Sequence, residues 1–157
     1  IKKPYIWLTK KPTMFSKACE YGLKAMIFLA SRADDEKRYN LEEISEQIGS
    51  PLSFTSKVLQ QLGRKKLILS YKGPTGGFRI ESQQISQITL YQIVSAIDGD
   101  AILKACGLGL SSCQNEKPCP IHRQYTKVRK ELKNMLLTTA LQDFTGNINS
   151  HNLVLIR

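Results

Sequence analysis

Apolar residues recur along this chain in a helical rhythm that one short strand-like passage interrupts. From Ser16 to Ser31, the residues Ala18, Tyr21, Ala25, Phe28 and Leu29 share one stripe at helical spacing. Asn40 is a good N-cap for a short helix, LEEISEQI, with Glu42 and Glu43 in the first turn where the helix dipole favours carboxylates. Gly49 ends that helix. Ser50 as N-cap and Pro51 at the first helical position then predict a third helix running to about Lys65, burying Leu52, Val58, Leu59 and Leu62. Two helices joined by so tight a turn form a helix-turn-helix unit.

The rhythm then changes. Leu67, Ile68 and Leu69 read as a strand, Lys72 to Gly77 as a turn, and Phe78, Arg79 and Ile80 as a return strand. A helix-turn-helix followed by a hairpin predicts a winged helix. Helical spacing resumes from Thr89 to Asp98, ended by Gly99. It returns from Pro120 to about Gln142, where Ile121, Tyr125, Val128, Leu132, Met135 and Thr139 repeat every three or four residues. That spacing describes a seam against another helix and predicts dimerisation. The expected fold is mainly α with a small β wing. Residues 14–82 form the winged helix-turn-helix, and residues 83–142 hold a linker helix, a loop and the dimerisation helix. Residues 143–157 are a tail, and residues 1–13 a leader, an expression remnant or a mis-assigned start.

Charge sharpens this picture. The 157 residues carry a formal net charge of +10, and Arg64, Lys65 and Lys66 form a basic run followed by Lys72 and Arg79. A small, strongly basic protein with a winged helix meets a polyanion, here double-stranded DNA. The polar face of the third helix offers Ser53, Thr55, Ser56, Lys57, Gln60, Gln61 and Arg64 as groove-reading side chains. Its N-terminal residues enter the major groove in such units, which singles out Ser53, Thr55, Ser56 and Lys57. Lys72 in the wing, with Arg79 on the return strand, is placed to reach the minor groove or its phosphates. No apolar stretch reaches the roughly 18 residues of a membrane span, and no secretion signal is visible, so a cytoplasmic location is expected. No acid–base or nucleophile set points to an enzyme.

The remaining chemistry is concentrated in one loop. Cys106, Cys113, Cys119 and His122 lie within seventeen residues, in a chain with one further cysteine and one further histidine. Reduced thiols clustered beside an imidazole suggest a metal. No C-x-x-C zinc knuckle is present. The long, irregular spacings favour an iron–sulfur cluster held by thiolates. Cys19, on the first helix, reads as a small core residue.

The segments SKACEYGLKAMIFLA, SYKGPTGGFRI and LYQIVSAIDGD, in this order before three cysteines, resemble the IscR/NsrR-type (Rrf-two) family of bacterial winged-helix regulators. The resemblance spans about Met14 to Gln142. It implies a homodimer that binds a DNA operator, with binding altered by a labile cluster, 2Fe–2S in the IscR branch. Cys106, Cys113 and Cys119 match the family's cluster cysteines. His122 matches the fourth ligand of the IscR branch, while Glu20 matches the acidic ligand of the nitric-oxide-sensing branch. Three departures are visible: the first cysteine spacing, six residues, is one longer than the family's usual five, Ser56 replaces a glutamate that tunes operator choice, and Lys72 replaces an arginine. A cluster-free thiol-redox regulator and a zinc-stabilised interaction domain are the alternative readings.

Overall fold

The computed structural model describes residues 14–110 and 118–148. Its elements in chain order are α1 (Lys17–Ala30), α2 (Leu41–Ile48), α3 (Leu52–Arg64), β1 (Leu69–Tyr71), β2 (Gly77–Arg79), α4 (Leu90–Ile97), α5 (Ala101–Lys104), α6 (His122–Thr138) and α7 (Gln142–Ile148). The strands pair antiparallel, with Leu69 opposite Arg79 and Tyr71 opposite Gly77. The mainly α fold with a two-stranded wing is the expected one.

α1 is the central element. Ser16 caps it, its Oγ accepting from the Cys19 N–H at 3.1 Å. Ala25, Met26 and Leu29 are fully or nearly fully buried, packed with Val58, Leu59 and Leu62 of α3 and Ile93 of α4. The Asp98 carboxylate, at the end of α4, accepts from the Ser16 N–H at 2.9 Å and from the Ser16 hydroxyl. It places negative charge at the N-terminus of α1, where orphan N–H groups and the dipole favour it. The I-D-G segment thereby ties the start of one helix to the end of another.

α2 begins at a capping box, with Asn40 Oδ1 accepting from the Glu43 N–H and Glu43 Oε2 from the Asn40 N–H, both at 2.8 Å. Gly49 closes it in the left-handed region. α3 starts one residue later than expected. Pro51, in extended conformation, is its N-cap, and the Ser50 hydroxyl turns inward to Thr55 instead of capping α3. Leu52 was expected in the core but is 46% exposed.

The C-terminal half departs further from expectation. α6 ends at Thr138, where the hydroxyls of Thr138 and Thr139 donate back to the carbonyls of Asn134 and Met135. Leu141 is fully buried, and its N–H donates to the Ile88 carbonyl at 2.8 Å. The chain therefore turns, and α7 packs back against α1, with Phe144 against the main core. The expected seam splits between two faces. Leu136 is fully buried and Leu132 half-buried, facing Cys19 and Val94, while Val128 and Met135 are 60% and 47% exposed.

Candidate DNA interface and cysteine loop

The turn between α2 and α3 is held by hydroxyl groups. Ser45 Oγ donates to the Ser50 carbonyl at 2.6 Å. Ser50 Oγ and Thr55 Oγ1 share a 2.6 Å hydrogen bond, and Thr55 Oγ1 donates to the Pro51 carbonyl at 3.2 Å. Thr55 is 1% exposed. Its place among the groove-reading residues is therefore corrected: it faces inward with Val58, Leu59 and Leu62, three, four and seven positions on.

On the opposite face Ser53, Lys57, Gln60 and Arg64 are exposed at helical spacing, forming one outward stripe. Ser56 and Gln61 are half-buried at its margins, with Gln60 Nε2 donating to Ser56 Oγ at 3.3 Å. Lys65 and Lys66 are exposed just beyond α3. Leu52 and Phe54, both 46% exposed, flank Ser53 at the start of α3. Reading apolar residues only as core left them out.

The wing is built by steric demand. A Cβ on Gly76 would lie 2.4 Å from the Tyr71 carbonyl oxygen and 2.8 Å from that of Gly73, so only glycine closes this turn. Tyr39 adds a third edge, exchanging N–H to carbonyl bonds with Phe78 at 2.8 and 3.0 Å. Arg38, absent from the sequence reading, lies 3.9 Å over the Tyr71 ring and braces the wing. Lys72 is exposed at the tip. Arg79 sits at the base, half-buried, in a hollow shared with Asp34, Glu36 and Glu81. Its surroundings are acidic.

The cysteine loop begins from a clamp. Arg129 of α6 donates through Nη1 to the carbonyls of Lys104 and Ala105, at 2.7 and 3.0 Å. These are the carbonyls at the end of α5, immediately before Cys106, and a cation favours that terminus. The Arg129 guanidinium also stands 5.3 Å from the Tyr125 ring. A Cβ on Gly107 would come within 2.9–3.0 Å of that ring, so the loop's first glycine lies against it. At the other end, the His122 N–H donates to the Cys119 carbonyl at 2.9 Å, so that Cys119 stands just ahead of α6 and His122 is its first residue. Cys106, Cys119 and His122 are all half-buried. Cys113 lies outside the described residues.

Cysteine sulfurs and an imidazole, with Cys119 and His122 beside the N-terminus of α6, suit a metal or an iron–sulfur cluster by donor chemistry. Among the described residues, however, no three His, Cys, Asp or Glu side chains stand together closely enough to hold one ion. The donor set fits; a closed cage is not assembled from the described part of it. Glu20 is engaged by Lys17 at 2.6 Å, on a side chain 21% exposed. Cys19 is fully buried, and burial, with the Asp98 carboxylate beside it, pushes its thiol up to about 12. It is a core residue, as expected.

The family model for the Rrf2 iron-dependent transcriptional regulators matches residues 15–147. The chain belongs to the Rrf2 family. Its curated relatives include the HTH-type transcriptional regulator IscR of Pectobacterium atrosepticum, 26% identical over 127 residues, covering 81% of this chain and 76% of the relative. Another, from Aquifex aeolicus, is provisionally named an HTH-type transcriptional regulator. It is 27% identical over 141 residues, covering 88% of this chain and 95% of the relative. Among solved structures, the Rrf2 chain is similar to CymR (YrzC), the global cysteine regulator of B. subtilis. The TM-score is 0.68 at 19% identity, over 88% of this chain and 98% of the other. It is also similar to T. potens IscR, with a TM-score of 0.65 at 17% identity over 97% and 95% of the two chains. At these identities the structures establish the winged-helix fold that this Rrf2 protein shares. Among the described residues, no helix is long and apolar enough to cross a membrane.

Proposed function

We propose that this Rrf2-family transcriptional regulator works as a homodimer on an operator in double-stranded DNA, with the Cys106–His122 segment as its sensor. The observation that carries this reading is the outward stripe of Ser53, Lys57, Gln60 and Arg64, held rigid from behind by the Thr55 hydroxyl network. Lys57, Arg64, Lys65 and Lys66 meet phosphates, Ser53 and Gln60 meet base edges, and Lys72 reaches the adjacent groove from the wing. Ser56 and Gln61 contribute from the margins. Arg79 belongs to the base of the wing and contributes least. Val128 and Met135, exposed on α6 beside Lys127 and Glu131, supply the dimer contact.

Cys106, Cys113 and Cys119, with His122 as fourth donor, are the residues that would hold a 2Fe–2S cluster; Glu20 is the rival donor. When bound, such a cluster supplies one-electron redox chemistry and lability towards oxidants. The chain's own part is mechanical. Arg129 and Tyr125 fasten the Cys106 end of the loop to α6, whose outer face is the dimer stripe. A change in the loop is therefore felt where the spacing of two half-sites is set, and it alters affinity only through different contacts in the two states. A cluster-free thiol sensor using the same cysteines is the second reading. An oxidised form of Staphylococcus aureus CymR is also among the structural neighbours.

Anaerobic purification followed by iron, sulfide and zinc analysis tests the sensor. Operator affinity is then measured with and without the metal group, and on thiol oxidation. Iron and sulfide in equal amounts, lost in His122→Ala and kept in Glu20→Ala, support the cluster with histidine. No iron, but peroxide-sensitive binding, selects the thiol reading. Monomeric behaviour of Val128→Glu in light scattering, against a dimeric parent, checks the interface.

A further inference from the structure

Among the described residues of the DNA-facing half, residues 14–82, three large apolar side chains are more than 40% exposed: Met14, Leu52 and Phe54. Met14 precedes the first helix. The other two lie on either side of the outward Ser53 in the first turn of α3. An isolated exposed leucine means little. Two apolar side chains at the groove-entering end of a reading helix, on either flank of the exposed Ser53 and with the exposed Lys57 one turn on, are a different matter. A polar and basic stripe bordered by apolar side chains matches one surface in particular, the major groove, where phosphates border bases and thymine alone presents a methyl group.

The Phe54 side chain is held in position. Thr55, next to Phe54, is anchored by its hydrogen bonds to Ser50 and Pro51. The Phe54 ring meets the Tyr21 ring of α1 edge to face, with centroids 6.2 Å apart and planes at 64°. Tyr21 in turn lies under the Lys17 ammonium, 5.3 Å from its ring centre. Phe54 is thus braced on one side and open on the other, and little conformational freedom is lost when it meets a ligand.

We propose that Leu52 and Phe54 read thymine 5-methyl groups in the major groove and set operator specificity beside the Ser53 contact. The inference rests on the DNA-binding reading above and adds to it which chemical feature of the bases is selected.

The test uses the full chain. Duplexes are selected from a randomised pool, and affinity is measured for the selected duplex and for versions with deoxyuridine replacing each thymidine in turn. Deoxyuridine removes only the methyl group and leaves hydrogen bonding intact. Burying one methyl-sized group stabilises by about 0.8 kcal/mol, so removing a contacted methyl weakens binding about fourfold. The expected result is such a loss at one or more thymidines per half-site, abolished at that position by Leu52→Ala or Phe54→Ala. The wild-type arm does not depend on whether a variant folds. Equal affinity of the wild type for every deoxyuridine duplex overturns the inference while leaving DNA binding intact. So does a methyl effect that persists unchanged in both variants. A pool from which no duplex is selected overturns the DNA-binding reading itself, and this inference with it.

Discussion

Thr55→Val separates two roles that a polar residue on a reading helix can play. The substitution keeps the branched shape and removes Oγ1, which bonds Ser50 Oγ at 2.6 Å and the Pro51 carbonyl at 3.2 Å. Leaving a buried polar group unsatisfied costs about 1–3 kcal/mol. Here the loss falls towards the lower end, because the Ser50 hydroxyl has a second acceptor in the Pro51 carbonyl at 3.3 Å. A destabilisation of about 1–2 kcal/mol follows, which lowers the melting temperature by about 2–8 °C for a chain of this size. The assay pairs thermal unfolding at fixed protomer concentration with operator affinity measured well below the transition. Affinity should stay within about twofold of the parent. A variant that melts like the parent but binds DNA tenfold more weakly would refute the reasoning and return Thr55 to the groove.

Three further outcomes are expected. Arg129→Ala frees the carbonyls of Lys104 and Ala105, and the alkylation rate of Cys106 rises about tenfold, the equivalent of one charged hydrogen bond discounted for partial exposure; an unchanged rate, followed by mass spectrometry, would mean that the clamp restrains nothing. At pH 8, iodoacetamide labels Cys106 and Cys119 in the folded protein but leaves Cys19 untouched until denaturant is added, because burial and Asp98 hold its thiol at about 12; early labelling of Cys19 would contradict its place in the core. Lys37, at 2.8 Å, and the Asn40 N–H lower the Glu43 carboxyl below its usual 4.5. Its contribution is present above that value and lost as pH falls through the lowered one. Glu43→Gln should therefore flatten the acid limb of a stability–pH curve slightly, since the pair is exposed; an identical acid limb in both proteins would count against it.

The helix-turn-helix was legible because its signals are local. Asn40, Glu43 and Gly49 act within one turn of themselves, and the wing follows from the glycine run around Gly76. Ser50 was misread because two good destinations compete for its hydroxyl, the free N–H groups of α3 and the buried Thr55. Only packing decides in favour of the second. Thr55 carried its own warning: it lies three and four residues before Val58 and Leu59, on the buried stripe, but its polarity outweighed its position. The long C-terminal helix is present but ends at Thr138, before the expected Gln142, for a non-local reason. Leu141 finds a core place beside Ile88, and no helical periodicity records where Ile88 is. The cysteine loop announced its donors by their density, whereas which of them meet depends on Arg129 and Tyr125, twenty or more residues from Cys106 in one case and nearly so in the other. Leu52 and Phe54 were hidden by the assumption that apolar means interior.

The lock behind the reading helix is made of Ser45, Ser50 and Thr55, none of which carries charge. Added salt strips counterion-dependent phosphate contacts from a DNA complex but has no purchase on a bond between neutral hydroxyls. The reading head of this regulator should consequently hold its shape across the whole ionic range in which its grip on DNA changes by orders of magnitude. Titrating salt then counts phosphates and nothing else, and whatever sequence preference survives at high salt belongs to the bases alone.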